Sequence, residues 1–112
     1  MGISTHILDT SKGRPAAGVK VSLSRMNGAT ESSVATAETD ADGRVKSLLP
    51  AGFNFEAGTY RIAFEVAAYF SAHQVEAFYP RVSIDFIVKN PAEHFHVPLL
   101  LQPFGFGTYR GS

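Results

Sequence analysis

His94-Phe95-His96-Val97-Pro98-Leu99-Leu100-Leu101 is the stretch that decides the fold. In an extended chain successive side chains take opposite faces. Phe95, Val97, Leu99 and Leu101 therefore share one apolar face, the mark of a strand lying on a core. The opposite face carries His94, His96, Pro98 and Leu100. A core alone does not ask for two imidazoles two residues apart. Pro98 has no N–H to give to a ladder, which favours an edge or a bulge at that point. The strand runs on through Gln102-Pro103-Phe104-Gly105-Phe106-Gly107, read as a turn, to the polar tetrapeptide Tyr109-Arg110-Gly111-Ser112. A terminus arriving so soon after an apolar strand is expected to sit inside something.

The same period of two recurs upstream. Val19, Val21 and Leu23 alternate with Lys20, Ser22 and Ser24, and Asn27-Gly28 follows as a hairpin signal. Tyr60, Ile62, Phe64 and Val66 form one face of a strand opened by Gly58, and Val82, Ile84, Phe86 and Val88 form another. Ile3 to Leu8 reads as a short first strand, Ser32 to Thr39 as a strand rich in small and β-branched residues, and Val45 to Leu49 as a further one. Asp40-Ala41-Asp42-Gly43 is a turn whose Gly43 suits a positive φ. Only Ala67 to His73 loses the alternation, and it predicts a two-turn helix. Seven or eight short strands with turns between them predict an all-β, antiparallel β-sandwich with one short helix.

The 112 residues are expected to form one domain, residues 1–112, large enough for a single core. Ten basic and ten acidic residues cancel, so charge gives no reason to expect nucleic acid or a membrane surface as partner. Without Cys there is no disulfide and no thiolate chemistry. Met1 to His6 lacks the basic and apolar regions of a secretory signal, which makes the cytoplasm the expected compartment.

His6, His94 and His96 are the side chains suited to moving protons near neutral pH, and Arg44, just after the turn, is a fixed cation for a carbonyl-rich or anionic substrate. His73 falls in the helix and has no assigned role. A metal on the His94–His96 pair lacks a third ligand at a recognisable spacing. There is no G-x-S-x-G, P-loop or H-E-x-x-H.

These segments together resemble the transthyretin-related proteins that hydrolyse 5-hydroxyisourate. The resemblance rests on Ser4-Thr5-His6-Ile7-Leu8-Asp9 with Gly13 to Ala16, on Thr39 to Arg44, on Phe78-Tyr79-Pro80, on His94 to Leu101 and on Tyr109-Arg110-Gly111-Ser112. It covers nearly the whole chain in order, and the terminal tetrapeptide is its most specific part. It implies a homotetramer, a dimer of dimers, with active sites where the dimers meet. It implies His6, Arg44, His96 and Ser112 as catalytic residues, substrate contacts from His6, Arg44, Tyr109, Arg110 and Gly111, and no metal or cofactor. Gln102, Phe104 and Phe106 stand where Ser and Tyr are common in the family. The competing expectation is a small-molecule carrier on the same fold.

Overall fold

The computed structural model describes residues 2–112. Its elements are β1 (Gly2–Asp9), β2 (Arg14–Pro15), β3 (Lys20–Asn27), β4 (Thr30–Glu38), β5 (Arg44–Val45), β6 (Gly58–Phe64), α1 (Val66–Ala72), β7 (Val82–Val88), β8 (His94–Gln102) and β9 (Gly105–Thr108). Seven of the strands have four residues or more, while β2 and β5 have two each. One sheet runs β4-β3-β6-β7. The other runs β2-β1-β8-β9, with β5 also paired to β1.

The apolar faces meet as their alternation requires. Phe95, Val97, Leu99 and Leu101 of β8 and Ile3 and Ile7 of β1 pack against Val21, Leu23, Tyr60, Ile62, Phe64, Val82 and Val88. Burial of this kind is worth about 25 cal/mol per Å² of apolar surface. Val66, the last apolar residue in the β6 alternation, starts α1 instead and is buried there with Tyr69 and Phe70. Gly28 turns the β3–β4 hairpin with φ +64°. Gly43 has φ +73°, and a Cβ on it would lie 2.5 Å from the Ile7 carbonyl oxygen, so the turn before Arg44 has no room for a side chain.

Four readings of the sequence change in detail. The ladder between β1 and β8 is parallel, so that sheet is mixed rather than wholly antiparallel. The strand expected over Val45–Leu49 shrinks to Arg44–Val45, after which Leu48 donates its N–H to the Ile3 carbonyl from outside the ladder. Gly105–Gly107 is not a turn but part of β9, which hairpins back on β8. Strand β8 is central, between β1 and β9, and Pro98 is buried in it.

Pro98 is accommodated by a gap in the ladder. β9 pairs regularly as far as Leu99 with Thr108, and one further bridge joins His96 to Gly111. Gly111 donates its N–H to the His96 carbonyl at 2.8 Å. Pro98 falls between these pairings, where Tyr109 and Arg110 leave the strand, so the missing N–H is not needed. Its carbonyl accepts the Thr108 hydroxyl at 2.7 Å.

A buried polar lock ties α1 to β1. Asp9 is fully buried. Its Oδ1 accepts from the Ser11 hydroxyl and from the Ser11 and Lys12 N–H groups, and its Oδ2 accepts the Tyr69 hydroxyl at 2.8 Å. Burial pushes the carboxyl up, but these donors outweigh it and hold the group below its ordinary value. Burial, with the bond to Asp9, pushes the Tyr69 phenol up to about 12. Tyr69→Phe is expected to cost about 1–3 kcal/mol, because a buried acceptor loses its donor. The wild type should keep the phenol's contribution up to pH 10.0, the ordinary value, and lose it as the pH rises toward about 12. The contribution of Asp9 should be lost on the acid side, as the pH falls below its ordinary value of 3.8. Thermal melts across pH check both: the alkaline loss should be missing in Tyr69→Phe.

Candidate active site

Strand register alone gathers the polar residues. In the β1–β8 ladder Gly2 lies opposite His94, Ser4 opposite His96 and His6 opposite Pro98. On the other side of β1, Arg44 of β5 lies opposite His6. Residues facing each other across a ladder share a sheet face, so Ser4, His6, Arg44, His94 and His96 all stand on the outer face of this sheet. The inner face at the same level is Ile3, Thr5, Ile7, Phe95 and Val97, all buried.

Ser4, Arg44, Lys46, His94, His96 and Ser112 line a polar cleft of about 240 Å³ there. Ser4 joins the two imidazoles: its Oγ lies 2.7 Å from His94 Nε2 and 2.8 Å from His96 Nδ1. His96 is partly buried, whereas His94 is exposed. Burial is the largest cause that holds the His96 imidazole below its ordinary value of 6.5, followed by the charges of Arg44, His6 and His94. His96 is therefore neutral at physiological pH, with Nε2 left over from the bond to Ser4. A neutral imidazole beside fixed cations can take a proton from water, while the cations stabilise an oxyanion. Any activity that uses His96 as a base should have an acid limb below pH 6.5 in its kcat/KM profile, since the ring is unprotonated only above its own value. A pH–rate profile with a limb at or above 6.5 would contradict that role.

The sequence-derived set divides. His6, Arg44, His96 and Ser112 come together on this face. Gly111 adjoins it through its bridge to His96, and a Cβ on Gly111 would lie 2.5 Å from His96 Cδ2. Arg110 does not join them. Its guanidinium pairs with Glu93 at 3.0 Å and lies over the Phe95 ring, 4.6 Å from the centroid, so it acts as a clasp on the tail. Tyr109 is 58 % exposed and borders a second, apolar hollow with Phe86, Ile87 and Val97. Ser112 was expected to orient an imidazole, and Ser4 makes those bonds instead. Ser4 and Lys46 are the site residues that sequence reasoning missed. Each lies two residues from a chosen one, His6 and Arg44, and the period of two was their signal. His73 caps the end of α1 and lies against Tyr69, ring centroids 4.6 Å apart and inclined at 52°, away from this cleft. Among the described residues no three His, Cys, Asp or Glu side chains come together as a metal site. No described helix is long and apolar enough to cross a membrane.

Three kinds of similarity bear on this geometry. Residues 3–111 match the model of the HIUase/Transthyretin family. The chain is 45 % identical to the 5-hydroxyisourate hydrolase of Caulobacter vibrioides, over 99 % of this chain and 98 % of that one. It superposes on the structure of Klebsiella pneumoniae 5-hydroxyisourate hydrolase with a TM-score of 0.86 at 40 % identity, covering all of both chains. On sea bream transthyretin in complex with thyroxine the TM-score is 0.90 at 30 % identity, covering 99 % of this chain and 95 % of that one. The fold is thus common to a hydrolase and to a thyroxine binder, and the side chains of the site must separate the two.

Proposed function

The chain belongs to the HIUase/transthyretin family, and from that membership and the chemistry of the cleft we infer that it is an enzyme that hydrolyses 5-hydroxyisourate in urate degradation. The product is 2-oxo-4-hydroxy-4-carboxy-5-ureidoimidazoline, formed by opening a ring amide. The observation that carries this reading is the gathering of His6, Arg44 and His96 on one sheet face, where Arg44 and His96 line a cleft with Lys46 and Ser112.

In the proposed mechanism His96 Nε2 takes a proton from a water that His6 helps to orient. The water oxygen bonds to the ring amide carbonyl carbon. Arg44, with Lys46 beside it, neutralises the oxyanion that develops on the carbonyl oxygen. The proton on His96 then passes to the departing ring nitrogen as the C–N bond breaks. One water is consumed, and the new carboxyl group ionises. Ser112 closes the cleft beside the imidazoles, and Tyr109, exposed on the tail at the neighbouring hollow, would reach substrate where the dimers meet. Arg110 contributes by holding the tail in place rather than by touching substrate.

The cleft lies on an open sheet face, so one chain offers half of an enclosed site. The proposal therefore includes a homotetramer, a dimer of dimers, whose sites are completed where the dimers meet. Two features support it. The last strands of both sheets, β7 and β9, have free edges, and an exposed strand edge is a template for pairing. Between them lies the apolar hollow of about 280 Å³, with Ile87 66 % exposed at its rim. Sedimentation of the purified protein should give the mass of a tetramer. Ile87→Lys should give smaller species, and an unaltered mass would remove this edge from the interface.

The carrier reading asks for an apolar channel. The cleft instead presents imidazoles and two cations, and the Caulobacter relative carries a hydrolase name. The function is tested by adding the protein to 5-hydroxyisourate generated in place from urate. The decay should accelerate in proportion to protein concentration. Decay at the spontaneous rate at all concentrations would overturn the reading.

A further inference from the structure

Ser4 occupies a position that the mechanism above does not use. Its hydroxyl carries one hydrogen, yet it lies within hydrogen-bond distance of two ring nitrogens, His94 Nε2 at 2.7 Å and His96 Nδ1 at 2.8 Å. The hydroxyl can donate to only one of them. The other ring must donate its N–H to Ser4. Both rings are seated so that this geometry persists. Gly2 lies beneath His94, where an added Cβ would come 3.2 Å from Nδ1, and Gly111 abuts His96, where an added Cβ would come 2.5 Å from Cδ2. The Gly111–His96 backbone bond at 2.8 Å fixes the second ring's base. Ser4 itself is buried on a strand locked in register with His96.

We propose that Ser4 makes His94 and His96 a coupled pair sharing one proton, in which Ser4 and His94 are positioning residues that set the tautomer of His96. Two neutral arrangements exist. In the first, His96 carries its hydrogen on Nδ1 and donates it to Ser4, which donates its own to His94 Nε2. His94 then carries its hydrogen on Nδ1, and His96 Nε2 is bare and faces the cleft as a base. In the second, His94 donates from Nε2 to Ser4, Ser4 donates to His96 Nδ1, and His96 Nε2 carries a hydrogen as an acid.

The two arrangements are linked through the charged state. When the bare Nε2 takes a proton from water, the Nδ1 hydrogen moves to Ser4 Oγ as the Ser4 hydrogen moves to His94 Nε2. The positive charge now lies on the exposed His94 rather than on the part-buried His96, which keeps Nε2–H ready for the leaving nitrogen. Delivery of that hydrogen, with both transfers reversed, restores the first arrangement. No oxidant or other reactant is needed. The charged and titratable groups that face His96 are Arg44 on β5, His6 on β1, His94 on β8 and Lys46 beside the cleft, and the charges of Arg44 and His6 disfavour a further charge on its ring.

The pairing itself does not depend on the substrate, and only its kinetic consequence rests on the hydrolase reading. The test is imidazole nitrogen NMR of the intact protein, at a pH where both rings are neutral, together with kinetics of 5-hydroxyisourate decay. In the wild type, of His94 Nε2 and His96 Nδ1, one should be protonated and the other bare. In Ser4→Ala that complementarity should vanish. The kcat should then fall about 10- to 100-fold with KM little changed, the size seen when a partner that fixes a histidine tautomer is removed. The acid limb of the kcat profile should shift as well, and Ser4→Thr, which keeps the hydroxyl, should restore all three readouts.

His94→Gln is an exposed substitution that keeps an acceptor for Ser4 but no proton site. It should lower kcat in the same way, and it serves if Ser4→Ala does not fold. Both ring nitrogens protonated or both bare in the wild type would overturn the proposal. So would tautomers or a kcat unmoved by Ser4→Ala, or a kcat unmoved by His94→Gln. Complementary tautomers in a protein with no hydrolytic activity would overturn the hydrolase reading while leaving the coupled pair standing.

Discussion

His96→Ala is expected to lower kcat for 5-hydroxyisourate by about 10²–10⁴-fold, the range for losing a general base. The tetramer and the melting temperature should change little. The ring is only partly buried and stands on the outer face of β8, so its loss opens no cavity in the core. The strand keeps its ladder to β1 and its bond from Gly111, because both are made by backbone. What disappears is the one imidazole that combines a Ser4 partner, a lowered proton affinity and a free Nε2 at the cleft. His6→Ala should produce a loss of the same order, since His6 lies opposite Arg44 in the β1–β5 ladder and, in the proposed mechanism, orients the water that His96 deprotonates. Steady-state kinetics at pH 7 and at higher pH separates this from a shifted optimum. Recovery of activity at either pH in His96→Ala would contradict the assignment.

Gly111→Ala is expected to lower kcat by about 10²-fold through geometry alone, the scale of a misplacement near 1 Å. The added Cβ would lie 2.5 Å from His96 Cδ2 and 3.2 Å from Pro98 Cγ. Such a contact forces a shift, and the imidazole must give way because Gly111 is bound to β8 through its backbone. The displaced ring would then miss Ser4, which now sits 2.8 Å away. Gly111→Ala isolates this effect better than removing the tetrapeptide. Deleting Tyr109–Ser112 should also abolish activity, but it removes more than a lining. It breaks the bridge to His96 and the Arg110–Glu93 ion pair, and it takes the Arg110 guanidinium off Phe95. The loss should be about 1–3 kcal/mol of stability, summed from one hydrogen bond and one cation–π contact. Denaturation midpoints of the two variants check the contrast: near wild type for Gly111→Ala, clearly lowered for the deletion.

Local alternation made most of the architecture legible. The faces of β3, β6, β7 and β8, the Gly28 and Gly43 turns and the helix near residues 67–73 each follow from side-chain spacing or from a φ that only glycine adopts at low cost. β9 hid behind Gly105 and Gly107, because glycines at alternate positions erase the pattern that a pairing partner later imposes. The strand expected over Val45–Leu49 is cut short because only Arg44 and Val45 find a partner on β1, and Lys46-Ser47 carry no alternation beyond them.

The site was legible as a set of chemistries but not as an arrangement. His6 and His96 are ninety residues apart, and nothing local shows that their strands lie side by side and parallel. That register sets Ser4 between two imidazoles, and the separate pairing of β5 with the other side of β1 sets Arg44 beside His6. Arg110 illustrates the converse. A cation in a polar tail reads as a substrate ligand, yet outside the strand it lies over the Phe95 ring, where Glu93 holds it.

The central claim is that the His96 face hydrolyses a cyclic amide. Its most direct test follows the ultraviolet absorbance of 5-hydroxyisourate, made in place by urate oxidase, with wild type and His96→Ala measured beside the spontaneous decay. Rapid decay with the wild type that falls back to, or close to, the spontaneous rate in His96→Ala is the expected result. Decay at the spontaneous rate with both proteins, or equally fast decay with both, would contradict the account.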